Sequence, residues 1–389
     1  MIRALCGKHF DIFNLSPSDD TVTLERLLTS RENVLDAHHA GTTYRFLTAY
    51  LALKGEDKVL TGSPRMKQRP VRALVDALNQ LGANISYIEN EGYPPLRIGR
   101  GKAIWGNSIT LPADISSQYI SALMIIGPIL PSGLTIHLAG EIVSRPYIEM
   151  TMDIMKYFGA DVIWNENSII VKTGFYKARD FFAEADWSAA SYYYEIAALS
   201  DLANITLTGL SKDSLQGDSE IVNIGRKFGI ETVYGERQIT LHKDKGSAAP
   251  QFFECDFIRI PDIAQTVAVM CAGLGTMGLF TGLQTLKIKE TDRIEALIKE
   301  LAKVNVSLAR APERFSKKSG VEYHMLEGTA VDQGSPPEFN TYNDHRMAMC
   351  LAPLAVSFPV VIHDPEVVSK SYPGFWKDLA SLGFEIKET

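Results

Sequence analysis

Three clusters of ionisable residues have the types and spacing to hold an anion and move protons. In "TYNDHRMAMCLAPLAV" (Thr341–Val356), Asp344, His345 and Arg346 stand in a row directly before an apolar run. A helix N-terminus leaves backbone N–H groups unpaired and carries a partial positive charge, so such an edge suits an anion. In "LKIKETDRIEAL", Lys287, Lys289, Glu290, Asp292 and Arg293 crowd the start of an amphipathic helix. Asp292 with Glu295 three residues on resembles a capping box, which leaves Lys289, Glu290 and Arg293 for other work. A carboxylate between two cations is ordinarily an ion-pair partner of depressed pKa; in a closed cleft it can also exchange a proton with substrate. In "TGSPRMKQRPVRAL", Arg65, Lys67, Arg69 and Arg72 lie within eight positions, with Pro64 and Pro70 stiffening the loop. Pro70 suits the first turn of the following helix, which puts Arg69 just before its N-terminus. Arginine there can hold a carboxylate or phosphate through two parallel hydrogen bonds. "VVSKSYPGFW" adds Lys370 before a Pro-Gly turn, while "SLQGDSE" (Ser214–Glu220) is a tight polar loop to which composition assigns no chemistry.

The elements that must carry these residues repeat. A polar cluster, then small residues, then an apolar helical run occurs in "DAHHAGTTYRFLTAYLAL" (Asp36–Leu53), "PADISSQYISALMIIGPIL" (Pro112–Leu130), "EADWSAASYYYEIAAL" (Glu184–Leu199), "IPDIAQTVAVMCAGL" (Ile260–Leu274) and the Asp344 stretch. One such phrase alone is ordinary N-capping; five converging helix N-termini make an anion site with little side-chain charge. Between them lie β-branched segments bounded by Gly or Pro: "GLTIHLAG", "NITLTGL" and "PVVIHDP". Further helices are predicted at "RPVRALVDALNQLGA", "PYIEMTMDIMKYFGA" and "KETDRIEALIKELAKV", the first two ending in a Gly placed for a left-handed cap. The period implies a repeat-built α/β chain in two similar halves, with a boundary near Ala183–Asp186: lobes 1–184 and 185–389. "APERFSKKSG" (Ala311–Gly320), of mixed charge and no period, is expected as a loop.

A chain of 389 residues is long for one core, and 46% hydrophobic with 22% charged residues reads as a soluble globular protein. The net charge of −7 argues against a nucleic-acid partner, so any basic site is local. "ALMIIGPIL" is too short to span a bilayer, and "MIRALCGKHF" does not read as a secretory signal. The four cysteines form no CxxC pair, with Cys271 and Cys350 in apolar runs, which implies a reduced, cytoplasmic protein. The histidines have no HxxxH or HxH spacing, and no Walker A, GxGxxG or GxSxG motif is present, so metal, nucleotide and nucleophile-elbow chemistry lose support.

"GSPRMKQRP", "SSQYISAL", "VSRPYIEMT", "SLQGD", "IPDIAQT", "KIKETDRI", "YNDHRMAM" and "SKSYPGFW" occur in the order found in 5-enolpyruvylshikimate-3-phosphate (EPSP) synthases, and the chain resembles that family over nearly its whole length. The related transferase acting on UDP-N-acetylglucosamine carries a reactive cysteine in the basic loop, and Gly62 to Arg72 has none. The resemblance implies two lobes, each of three βαβαββ units with the first incomplete here, closing on substrates at a hinge. It implies transfer of the enolpyruvyl group of phosphoenolpyruvate to the 5-hydroxyl of shikimate 3-phosphate, with no cofactor or metal, by a monomer. By similarity, Ser116, Ser117 and Ser144 hold the shikimate phosphate, Gln118 packs on its ring and borders phosphoenolpyruvate, and Lys289 and Asp262 contact its hydroxyls. Arg69, Arg293 and Arg346 clamp phosphoenolpyruvate, with Lys370 and the Gly41 backbone nearby. Asp262 is the expected base toward the 5-hydroxyl and Glu290 the expected proton donor, with Lys370 in the catalytic set and His345 supporting Arg346 and Glu290. The alternatives are a binding-only relative and a transferase acting on a nucleotide sugar.

The sequence departs from the family in places. The family opens with a strand and a Gly-Ser-Lys-Ser-x-Ser-Asn-Arg segment, to which nothing before "MIRALCG" corresponds. His39 stands where Asn is common, and Thr285 where some members carry Asn; Gly41, the residue of glyphosate-sensitive members, is kept. Without that segment's lysine, the reacting centre lacks a charge-assisted contact of about 2–4 kcal/mol. The expectation is that phosphate release by this chain is more than about tenfold slower than by one extended upstream; comparable turnover by the two sinks it.

Overall fold

The computed structural model describes residues 1–100, 106–114, 116–312, 314, 317 and 320–388. It divides into two units, Met1–Ala183 and Glu184–Thr389. In the first, one order of elements runs twice. Val34–Asp36, Gly41–Lys54, Lys58–Thr61, Arg72–Gln80, Ile85–Tyr87 and Leu96–Ile98 form one βαβαββ unit; Ser108–Pro112, Ser117–Ile126, Leu134–Ala139, Arg145–Tyr157, Val162–Asn165 and Ser168–Val171 form the next. In each sheet the first two strands pair in parallel, as a helical crossover requires. The closing hairpin then adds antiparallel, its second strand innermost.

The second unit repeats the order in Phe252–Asp256, Ala264–Leu274, Met277–Thr281, Arg293–Ala302, Val306–Arg310 and His324–Gly328. Around it stand shorter versions. Ala203–Thr208, Gln238–Lys243 and Glu231–Gly235 make a three-stranded antiparallel sheet. Glu338–Phe339 and Val361–Ile362 pair in parallel on either side of the helix His345–Leu351. The strand expected at "PVVIHDP" is thus two residues long. Part of the loop expected at 311–320 lies outside the described residues.

The two kinds of helix differ in sequence for a physical reason. The first helix of each repeat is enclosed and apolar all round: Ser117–Ile126 buries Tyr119 through Ile126, and Ala264–Leu274 buries Ala264 through Ala272. The second is amphipathic, as in Arg72–Gln80, where Leu74, Val75, Ala77 and Leu78 form the buried stripe. Gly82 (φ 107°) and Gly159 (φ 88°) follow the amphipathic helices in the left-handed conformation expected of them. The helix after the basic loop begins at Arg72 and not at Pro70: Val71 has a non-helical backbone (φ −136°) and is the cap, its N–H bonding the Gly92 carbonyl at 2.9 Å.

One residue violates the apolar rule. Glu195, on the enclosed helix Trp187–Leu199, is fully buried and neither carboxyl oxygen has a hydrogen-bond partner. Burial drives its pKa well above the carboxylate range. The folded chain then holds a proton that the unfolded chain releases. Its contribution is therefore intact below the unfolded pKa and is lost as pH rises toward the folded value, by up to about 1.4 kcal/mol per pH unit. Glu195→Leu is expected to stabilise the chain more at pH 8 than at pH 5 in urea denaturation; parallel stability curves for the two proteins exclude the effect.

Candidate active site

In the C-terminal unit, the starts of three enclosed helices meet the start of an amphipathic one. Arg293, the first residue of Arg293–Ala302, is 1% exposed and grips Asp344 with Nε at 2.7 Å and Nη2 at 3.2 Å. The same guanidinium reaches Glu290 Oε2 at 2.9 Å and Asp262 Oδ1 at 3.3 Å. Asp344 Oδ1 also accepts the Arg346 backbone N–H at 2.9 Å, so it caps the helix His345–Leu351. Asp262 sits in the turn Pro261–Ile263 that feeds Ala264–Leu274, 3.4 Å from Lys289 Nζ and 3.4 Å from Arg346 Nη2. Lys370 Nζ lies 3.0 Å from Glu290 Oε1. Four cations therefore face three carboxylates. Asp292 caps its helix by accepting the Ile294 and Glu295 N–H groups, one arm of the expected capping box.

The electrostatics follow from burial weighed against neighbours. Burial alone raises Asp262, but Arg346, Lys289 and Arg293 outweigh it and hold the carboxyl well below its usual range. Burial lowers Lys289, an effect Asp262 partly offsets. Burial also opposes the charge on Arg293, yet Asp344 and Glu290 raise its pKa further. His345 is pushed well below its usual range by burial and then by the Lys370 cation, and it is neutral at pH 7. Its Nδ1 is buried without a hydrogen bond, 3.6 Å from Asp344 Oδ1.

A fourth carboxyl was not assigned from sequence. Asp218, from the "SLQGD" loop, is buried and accepts a short hydrogen bond from Ser188 Oγ, which also lies 3.4 Å from Arg346 Nη2. Burial, and then the charge of Asp262, raise it to about 7. Of the two coupled carboxyls the proton belongs on Asp218, since Asp262 has three cations against it. Sequence offered an Asp after Gly in a polar loop and no sign of its burial.

In the N-terminal unit the basic loop divides its charges. Lys67 pairs with Glu89 at 2.6 Å and Arg72 with Glu91 at 2.7 Å, both near the surface. Arg69 instead turns inward and is buried against Gly41. A Cβ at Gly41 would stand 2.7 Å from Arg69 Nη1 and 2.7 Å from Arg45 Nη1, so a larger residue there would push the ends of both guanidiniums aside. Arg45 donates from Nη1 to the Gly41 carbonyl at 2.9 Å and lies over the Tyr119 ring. Its sequence signal is an arginine inside the apolar run "TYRFLTAYLAL". Tyr119 Oη donates a short hydrogen bond to the Pro70 carbonyl, next to Arg69.

Gln118 joins two helix starts by donating from Nε2 to Thr42 Oγ1 at 2.8 Å, while its Oε1 is buried without a partner. Ser116 and Ser144 stand at the N-caps of their helices without a side-chain cap bond, and Ser117 opens the helix after Ser116. Ser144 holds a left-handed backbone (φ 55°). Beside it, the Val143 N–H bonds the Ala113 carbonyl at 3.2 Å, bringing its loop to the strand end that precedes Ser116. His39 Nδ1 lies 3.0 Å from Ser63 Oγ, tying it to the basic loop, and Thr285 Oγ1 is buried without a partner. Among the described residues no group of three or more His, Cys, Asp or Glu is arranged to hold a metal ion.

A family model described as EPSP synthase (3-phosphoshikimate 1-carboxyvinyltransferase) matches residues 10–379. The 3-phosphoshikimate 1-carboxyvinyltransferase of Bacteroides fragilis strain YCH46 is 49% identical over 389 residues, covering 100% of this chain and 92% of that one. The enzyme of the same name from Colwellia psychrerythraea is 37% identical over 348 residues, covering 88% of this chain and 78% of that one. Among solved structures, an EPSP synthase from Acinetobacter baumannii aligns with a TM-score of 0.72 at 20% identity, over 98% of this chain and 92% of that one. That likeness establishes the fold.

The cluster around Arg293 yields a direct test. Removing the cation leaves Asp344 and its neighbours as uncompensated buried charge, at about 3–5 kcal/mol. Arg293→Leu is expected to lose that much stability at pH 7.5 and less at pH 4.5, where protonation relieves the carboxylates. A loss that does not change with pH, measured by urea titration, contradicts this account.

Proposed function

The chain belongs to the EPSP synthase family, and from that premise we propose how its own residues divide the work of a 3-phosphoshikimate 1-carboxyvinyltransferase. The reaction joins the enolpyruvyl group of phosphoenolpyruvate to the 5-hydroxyl of shikimate 3-phosphate and releases phosphate, a step of the shikimate pathway to the aromatic amino acids. Neither a binding-only role nor a nucleotide-sugar acceptor is favoured.

In the C-terminal unit, Arg293 and Arg346 are assigned to phosphoenolpyruvate with Lys370, and Lys289 and Asp262 to the hydroxyls of the shikimate ring. In the N-terminal unit, Ser116, Ser117 and Ser144 are assigned to the shikimate phosphate, Gln118 to its ring and to phosphoenolpyruvate, and Gly41 with Arg69 to phosphoenolpyruvate. Arg45, set against Gly41, supports Arg69.

The chemistry removes two protons, from the 5-hydroxyl and from the new methyl group, and delivers two, to the methylene carbon and to the departing phosphate. The methylene carbon of phosphoenolpyruvate is protonated as the 5-hydroxyl oxygen attacks C2 and gives up its proton. Loss of phosphate with a proton from the new methyl group then restores the double bond. We assign delivery to Glu290 and acceptance from the hydroxyl to Asp262. The observation that carries the reading is their shared setting: Asp262 is ringed by Lys289, Arg293 and Arg346, and Glu290 is held between Lys370 and Arg293. Two polyanions binding there draw on the same cations, and the proton affinity of both carboxylates rises when substrate arrives. His345, neutral and without a hydrogen bond at Nδ1, is assigned to packing beside Asp344. The four free cysteines support a reducing, cytoplasmic setting, and none of the described helices is long and apolar enough to cross a membrane. We propose that it works as a monomer, since one chain carries every assigned residue.

Phosphate release from the two substrates together, absent with either alone, is the test. Gly41→Ala pushes on Arg69 and is expected to raise KM for phosphoenolpyruvate at least about tenfold while KM for shikimate 3-phosphate moves less. Equal effects on the two substrates would argue against the assignment of Arg69.

A further inference from the structure

The helix Arg293–Ala302 touches the loop before His345 at two points, and the proposed roles above use only one. Seven residues after Arg293, two turns along the same face, stands Glu300, which is fully buried. Its Oε1 accepts the Tyr342 hydroxyl at 2.6 Å. Its Oε2 accepts the Asn340 backbone N–H at 2.9 Å and pairs with Lys303 Nζ at 2.6 Å. Lys303 in turn donates to the Glu338 carbonyl at 2.7 Å.

What lies between those contacts explains their purpose. Tyr342 and Asn343 are consecutive residues in the left-handed region, each with φ 55°. A tyrosine there is disfavoured, because its Cβ crowds the backbone, and it persists only where surroundings over-determine it. Glu300 grips the loop just before the kink, at the Asn340 backbone N–H, and at the kink's first residue, through the Tyr342 hydroxyl. The next residue is Asp344, whose N–H bonds the Thr341 carbonyl at 2.9 Å and whose carboxylate receives Arg293. Arg346 follows at the second position of the helix that Asp344 caps.

We propose that Glu300 is a positioning residue for the enolpyruvyl transfer: it holds the Tyr342–Asn343 kink that aims Asp344 at Arg293 and sets the direction of Arg346. The proposal rests on the assignment of Arg293 and Arg346 to phosphoenolpyruvate. Released from Glu300, the two residues relax toward ordinary backbone and Asp344 turns off Arg293. The loss then falls on phosphoenolpyruvate more than on shikimate 3-phosphate, whose ligands in this unit, Lys289 and Asp262, come from other loops.

Three variants grade the effect. Tyr342→Phe removes one hydroxyl, Glu300→Gln keeps an acceptor for Tyr342 but gives up the charge, and Glu300→Ala removes both. KM for phosphoenolpyruvate is expected to rise in each, by about fivefold or more in Glu300→Ala, with Glu300→Gln recovering part of the loss and KM for shikimate 3-phosphate changing less than about twofold. A residue that only stabilised the fold would lower Tm and leave KM values of the folded enzyme unchanged; that result in Tyr342→Phe and Glu300→Gln would overturn the proposal, whether or not Glu300→Ala folds. A crystal structure of Tyr342→Phe reads the same point without turnover. The expected result is a lengthened Asp344–Arg293 contact, and an unchanged kink with that pair intact refutes the brace. If the wild-type chain releases no phosphate, the transferase reading fails, and the crystal structure still decides the role of Glu300.

Discussion

A guanidinium with almost no exposure cannot stand alone in a protein interior, and in the C-terminal unit that requirement organises everything around Arg293. Taking an ion out of water costs far more than one hydrogen bond returns, so a buried cation is tolerable only when charged acceptors surround it in good geometry. Asp344 supplies a two-point grip, and Glu290 and Asp262 complete the set. Each acceptor comes from a different piece of chain: the cap of His345–Leu351, the loop before Arg293, and the turn before Ala264–Leu274. Satisfying one cation thereby draws two helix starts and a loop into a fixed relation. The residues proposed to move protons are positioned as a by-product of that neutralisation.

The same constraint accounts for the chain's economy of charge. Its net charge is −7, yet its site must take two polyanions. Enclosed helices make this possible. Because they are apolar on all sides, their polar N-terminal residues have nowhere to go but the edge of the core, and there the unpaired N–H groups add partial positive charge. The cations present are nearly matched by carboxylates already in place, so the cluster itself carries little excess charge. That near-balance limits the self-repulsion that four close cations would otherwise bring to the folded state.

How much of this was legible follows from the range of each interaction. The five phrases that place polar residues before apolar runs mark the five enclosed helices, because capping and burial are written in contiguous residues. The glycines after Leu81 and Phe158 were legible for the same reason: a left-handed C-terminal position has a local signature. Asp218 and Glu300 were not. Each is an ordinary polar residue in its own window, and its meaning lies in a partner far along the chain: for Asp218 it is Ser188, and for Glu300 it is Tyr342. The start of the helix at Arg72 was not legible either, since the non-helical backbone at Val71 is tied to Gly92, a residue that the local pattern does not show. Glu195 is the opposite case, a buried acid whose carboxyl oxygens have no hydrogen-bond partner among the described residues, near or far.

A difficulty in the proposed chemistry has a physical resolution. A base held well below its usual pKa by three cations is a poor acceptor, and a carboxyl between two cations does not readily hold the proton it would have to give, so these cations set both Asp262 and Glu290 the wrong way round. Both defects have one source, the surrounding cations. Phosphate and carboxylate groups of the ligands take up that positive charge, and a second negative charge beside each carboxylate raises its proton affinity. Asp262 then becomes a better base while Glu290 becomes able to hold the proton it must give. The two changes depend on the bound polyanions, so acid and base are brought into their working range only when there is something to protonate. Asp218, raised to about 7 by burial and then by the charge of Asp262, is a second carboxyl beside Asp262 that takes up a proton more readily than it does.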